Sequence, residues 1–376
     1  MRRFVTFICL WLLTVASISG QTPGMAQPLC SDCKGDMFVR FESTSFVKNN
    51  EYDNAFTKGF TGIGFMASPS LEYYPTETTR VRAGIYLLKY AGLDRFSRSI
   101  PLFSVHQQLN NTTDLVLGSL YGALEHGLEE PLFRTDRFYQ DPLEYGLQLL
   151  HHSAAFSADL WLNWEQFILP GDPYQEAFQA GLSSQYTMIS SASLEVAVPL
   201  QVLLYHKGGQ IDSSEEGVLS QLNAMSGLRI HYRMPDGATL GIEPLFFYYK
   251  GLNVPDTGSH AQPFSSGKAV YVKCLYQKEN LKAMLGYWQA DQFIAPKGEF
   301  LFQSVSESAP SYHEADRKLI TGKIGFVHPI KESIQISFST AGYYDLVNED
   351  LSYACGLQLV LNESFFISHH KKHRKS

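Results

Sequence analysis

From about Met37 to about Leu361, segments of roughly ten residues alternate apolar and polar side chains, and the connections between them alternate short and long. In 333–344, Ile334, Ile336, Phe338, Thr340, Gly342 and Tyr344 fall on one face and Ser333, Gln335, Ser337, Ser339, Ala341 and Tyr343 on the other. In 352–361, Tyr353, Cys355, Leu357, Leu359 and Leu361 oppose Ser352, Ala354, Gly356, Gln358 and Val360. A period of two is that of an extended strand with one apolar face.

Sixteen such strands can be placed. Tight-turn sequences join alternate pairs: Pro75-Thr76-Glu77-Thr78, Asn110-Asn111-Thr112, His152-Ser153-Ala154, Ile189-Ser190-Ser191, Pro235-Asp236-Gly237 and Lys278-Glu279. Longer connections lie between them, the longest at 122–142, 206–225, 251–264 and 292–318. An up-and-down wall with one trimmed and one elaborated rim has this rhythm. The predicted fold is all-β, an up-and-down transmembrane antiparallel β-barrel of about 16 strands with both termini on the short-turn side.

Composition agrees. The hydrophobic fraction of 44% is too low for a bundle of membrane helices, but half of each barrel strand faces a polar interior. The 21 Tyr and 25 Phe suit strands and interfacial girdles. Arg2, Arg3 and an apolar run from Phe4 to about Ile18 read as a signal peptide over 1–20. A periplasmic segment, 21–36, then carries Cys30 and Cys33, whose spacing suits a small disulfide loop in an exported protein. The barrel is expected over 37–366 and a basic tail over 367–376. A formal charge of −7 gives a nucleic-acid backbone nothing to hold, so no such partner is expected.

The inward positions collect the charges. The candidates for the lumen are Glu72, Arg80, Arg82, Asp159, Trp161, Glu195, Arg229, His231, Arg233, Glu243, Lys273 and Lys323. Arg229, His231 and Arg233 form a basic ladder on one strand, able either to set a field across a pore or to pair with glutamates opposite. Loop 126–142, with Glu129, Glu130, Asp136 and Arg137, can fold inward as a constriction or remain a solvated loop. No metal-binding spacing and no cofactor fingerprint is present, so neither is expected.

The whole mature chain resembles Gram-negative outer-membrane β-barrels of porin type, on the signal peptide, the dyad strands and the alternating loop lengths. The resemblance implies location in the outer membrane, contact with its lipid, and passive diffusion of small hydrophilic solutes. The alternative is a non-conducting barrel that docks or assembles surface lipoproteins or other barrel subunits. A lipid hydrolase of the barrel type needs Ser and His on the lipid-facing rim. The nearest match, His151-His152-Ser153, lies at a short turn without an orienting partner, so no enzyme is expected.

Overall fold

The computed structural model describes residues 29–209, 211–309 and 311–369. The expected signal peptide and the tail beyond 369 lie outside the described residues.

The chain forms a closed antiparallel barrel. Seventeen strand segments belong to one sheet, and β1 (Asp36–Glu51) pairs with both β2 (Thr61–Thr76) and β17 (Leu351–His369). β10 (Leu219–Gly227) and β11 (Arg229–Arg233) both lie between β9 (Leu194–Lys207) and β12 (Thr239–Asn253), so they are two halves of one wall strand and the wall has sixteen positions. The interruption has a local cause. Pro199 of β9 and Pro244 of β12 flank Gly227 and Leu228 and bring no N–H to the ladder. Leu228 instead donates its N–H to the Pro244 carbonyl at 3.1 Å.

β10 begins well inside the segment expected to be loop. Its inward residues Gln221 and Asn223 are as polar as its outward Ser220 and Ser226, so the sequence carries little alternation there. The last strand also runs further than expected. It includes Phe365 and Phe366, pairs as far as Asp36 opposite His369, and makes the β1–β17 seam the long closing contact of the barrel. His106 of β4 (Arg98–Asn110) faces inward, and its Nδ1 lies 3.1 Å from the Tyr121 hydroxyl.

Outward positions are apolar. Phe103, Leu160, Leu240, Phe246, Leu285 and Ile324 are all exposed, a belt that water would not tolerate and lipid does. The barrel is therefore an outer-membrane barrel. Its interior is not an open lumen. The connection between β5 (Thr113–Ser119) and β6 (Tyr145–His152), 120–144, and that between β14 (Leu281–Asp291) and β15 (Asp316–Lys331), 292–315, fold inward. Leu132, Phe133, Phe293, Ile294, Leu301 and Phe302 pack against Phe247, Tyr271 and Trp288 of the wall in one buried apolar cluster.

The two loops are joined. Arg134 donates its N–H to the Lys297 carbonyl at 2.8 Å, and Glu299 donates to that of Glu130 at 3.0 Å. Gly298 makes this approach possible, since a Cβ there would stand 2.0 Å from the Pro131 carbonyl oxygen.

Candidate functional site

Inside the barrel, charge and loop lock together. Glu129 accepts from Arg229 Nη2 and from Lys273 Nζ, each at 2.8 Å, and Glu243 accepts from Lys273 at 2.7 Å. His231 Nε2 lies 2.9 Å from Glu243. Glu130 accepts from Lys323 at 2.5 Å and from the Tyr343 hydroxyl at 2.7 Å. On the far side, Gln358 donates to the Tyr139 hydroxyl at 2.6 Å, and Asp136 accepts from Asn50 and faces Lys48 at 3.5 Å. The inward loop is thus tied to strands around the whole circumference.

His126 is a further anchor. Its Nδ1 is 2.8 Å from Asp159 and its Nε2 2.9 Å from Glu144, and its ring stacks on Trp161 at 3.7 Å. Burial would strip its proton, but the two carboxylates outweigh burial and hold the imidazolium, with a pKa pushed up to about 10. Both ring nitrogens are engaged, so this histidine is a clamp.

The other lumen candidates lie toward the short-turn rim. Glu72, buried, faces Arg80 and Arg40 at 3.9 Å, Arg80 donates to the Tyr121 hydroxyl, and Arg82 pairs with Glu42. Glu195 lies opposite His231 in the ladder. Arg233 is exposed and donates to the Ala192 carbonyl at 3.3 Å, so only two members of the basic ladder enter the buried network. Cys30 and Cys33 are joined in a disulfide. Ser153 sits in the short turn that follows β6, where its hydroxyl donates to the Phe156 carbonyl at 2.9 Å.

The cleft best placed to meet a ligand opens at the long-loop rim. It has a volume of about 620 Å³ and is lined by cations from four parts of the chain, Arg98 of β4, Arg137, Lys207 of β9 and Lys297, against Asp141, Glu165 and Glu216. The dyad of β7 (Phe156–Gln166) builds its wall: Asn163 and Glu165 face in while Trp164 faces out toward lipid. Lys297 donates to Glu165 at 2.5 Å and lies over the Tyr205 ring at 4.6 Å. Burial lowers the pKa of the Lys297 amine, against the pull of Glu165.

His260 also lines this cleft. It is buried, and its Nδ1 lies 3.0 Å from the Gly217 carbonyl. A carbonyl only accepts, so Nδ1 carries the proton and Nε2 is left as an acceptor. Gln175 holds the same loop by donating to the Glu216 carbonyl at 2.8 Å. The sequence marks Arg137 only as a loop residue and gives no signal for Arg98, Lys207, His260 and Lys297. Scattered over four connections, they share no motif spacing.

Three comparisons bear on this geometry. A family model described as Lipid A 3'-O-deacylase-type matches residues 29–370, the whole barrel. No curated protein matches. Among solved structures, the outer membrane protein OprD from Pseudomonas aeruginosa aligns at 13% identity over 92% of this chain and 99% of its own, with a TM-score of 0.50. OccAB2 from Acinetobacter baumannii aligns at 10% identity over 89% of this chain and 99% of its own, with a TM-score of 0.51. At such identity the likeness speaks for the barrel fold. The family match overturns the expectation that the chain is no enzyme, because the family is named for a deacylase. The sequence reading failed there because it sought a hydrolase only as a short local motif.

Proposed function

The chain belongs to the Lipid A 3'-O-deacylase-type family, and from that premise we propose that it is an outer-membrane hydrolase. It would remove an ester-linked acyl chain from a glycolipid of the lipid A class. The observation that carries this reading is the family match over the full barrel.

The cleft at the long-loop rim suits the reaction. It is polar within, and exposed Trp164 of the wall faces lipid beside it, so a head group can enter while its acyl chains stay in the membrane. His260 is the base we assign. Its Nε2 takes a proton from water as the water oxygen bonds to the ester carbonyl carbon. The carbon–oxygen bond to the sugar then breaks, and the same proton passes to the departing alkoxide. The products are a free fatty acid and a sugar hydroxyl.

Passive diffusion through the lumen is less well supported, because two loops occupy the interior and are bonded to the wall. A docking role for surface lipoproteins is compatible with a filled barrel but has no observation of its own.

The test is mass spectrometry of a lipid A-class glycolipid after incubation with the purified, folded barrel in detergent. The expected result is loss of the mass of one acyl chain together with released fatty acid. An intact glycolipid after incubation with folded protein at pH 6 to 9, with and without divalent cations, would sink the proposal.

A further inference from the structure

The rim cleft contains an unmet demand for an anion. Arg137 reaches it from the inward loop, with its side chain 14% exposed. Its Nε is buried and has no hydrogen-bond partner among the described residues. The carboxylate nearest to it, Glu165, stands 3.9 Å from Nη2, beyond hydrogen-bond reach, and is committed to Lys297 at 2.5 Å. Glu165 Oε1 is likewise buried without a hydrogen-bond partner. A guanidinium donor and a carboxylate acceptor therefore lie close together in one wall, and both are left short.

Leaving a buried charged donor unmatched is costly, and folds seldom retain one without a use. Arg137 is also not alone. Arg98, Lys207 and Lys297 approach the same space from the ends of two other strands and from the second inward loop. In a chain whose formal charge is −7, this cleft sets four cations against the three carboxylates Asp141, Glu165 and Glu216, a formal excess of one positive charge.

We infer that this cleft is a phosphate-binding subsite in which Arg137 and Lys297 hold a phosphate monoester and Glu165 is its built-in competitor. Planar guanidinium matches phosphate oxygens in a fork, so Arg137 can satisfy its free Nε and one Nη together. Lys297 then exchanges its carboxylate partner for a doubly charged one. Glu165 keeps the two cations in place while the site is empty and weakens the ligand when it is full. The inference deepens the hydrolase reading and rests on it for the glycolipid as the natural carrier. The phosphate chemistry stands on the cleft alone.

Binding is the measurement, because it requires no turnover. The full barrel in detergent is titrated with a phosphorylated lipid A-class glycolipid, with the same glycolipid after phosphatase treatment, and with inorganic phosphate. The phosphorylated form is expected to bind more tightly than the dephosphorylated one. Arg137→Gln should lose about ten- to a hundredfold in affinity for the phosphorylated form, the range for a charge-assisted pair. Glu165→Gln should gain affinity for it, and both variants should change binding of the dephosphorylated lipid far less than binding of the phosphorylated form. Arg137→Lys, which keeps the charge and loses the fork, should fall between.

Inorganic phosphate that binds with the same Arg137 dependence and nearly the same affinity would identify free phosphate as the ligand. Preference for the glycolipid would identify the head group. Equal binding of the phosphorylated and dephosphorylated lipids, or an Arg137→Gln barrel that is folded by heat-shifted gel mobility yet binds normally, overturns the subsite. Acyl release that persists without phosphate preference removes the subsite and leaves the hydrolase. Phosphate binding without acyl release does the reverse.

Discussion

Glu129 of the inward loop and Lys273 of β13 (Ser266–Lys278) meet at 2.8 Å inside the barrel, each side chain only 1% exposed. The pair joins a loop to a wall, and Arg229 completes it from the next face. Charges at this depth are stable only together, because the desolvation of each is offset by the others. Glu129→Ala removes a carboxylate that Arg229 and Lys273 both hold. The expected cost is about 3–5 kcal/mol, the range for breaking a buried pair. It falls on loop docking rather than on the wall. Trp161 and Trp288 pack on the inward loops and report it, since Trp288 donates to the Phe302 carbonyl at 3.0 Å. Their fluorescence transition should move to lower temperature while the strand signal in circular dichroism melts where it did before.

The same lock predicts electrical silence. Folded wild-type barrels in planar bilayers are expected to show no stepwise conductance, because the ties of the inward loop run from Lys48 of β1 to Gln358 of β17. Deleting 124–140 together with 294–312 removes both inward loops and leaves a wall of sixteen positions, wide enough for water once its filling is gone. That variant should conduct in steps. Large steady steps from the intact chain would contradict the filled interior.

Much of the wall was legible because lipid imposes a simple rule on each strand. Ile324, Phe246 and Leu240 face lipid and their neighbours do not, so alternation alone places them. β10 escaped the rule because Gln221 and Asn223 alternate with serines and with Leu222 and Ala224 rather than with bulky apolar residues. The filling of the interior was not legible for another reason. Glu129 and Lys273 are 144 residues apart, and a loop carrying Glu129, Glu130, Asp136 and Arg137 looks solvated until the wall supplies its counter-charges. The site was hidden in the same way. Lys297 and Arg137 share Glu165 only because Gly298 lets two distant loops touch.

Docking of the inward loops should weaken in alkali. His126 has its pKa raised to about 10, so its contribution is complete below the free-histidine range and is lost as pH climbs through about 10. Glu299 is buried, and burial first, then Asp136 and Glu130, push its carboxyl up to about 8. It is protonated in the fold and ionised in the open loop from pH 4.5 upward, so stability falls between about 4.5 and 8. Both groups therefore favour the docked loops in acid. The tryptophan melting temperature should decline from pH 5 to pH 10, and Glu299→Gln should flatten the part of the decline below pH 8. A melting temperature that rises over that interval would show that these two groups do not govern docking.

The wall responds to charge by face. Ile324→Arg places a guanidinium against lipid and should cost about 2–4 kcal/mol if the residue lies near the midplane, less toward either rim. Its neighbour Lys323 already carries a charge one position away, but on the inner face and paired with Glu130 at 2.5 Å. Urea titration of the barrel in vesicles measures the difference, and Ile324→Leu, which keeps the apolar contact, should be nearly neutral. Equal tolerance of arginine and leucine at 324 would remove the lipid belt from that face.

The base assigned to His260 makes a sharper demand than loss of activity. Its Nδ1 proton is fixed by the Gly217 carbonyl at 3.0 Å, so the reaction depends on which nitrogen is free as well as on having an imidazole there. His260→Gln retains a donor for the Gly217 carbonyl but has no basic nitrogen, and it should lower the rate of acyl release by roughly 10²- to 10⁴-fold, the usual contribution of a general base. Binding of the intact glycolipid should be little changed, because the cations of the cleft are untouched. Unchanged activity in the variant would take His260 out of the reaction altogether.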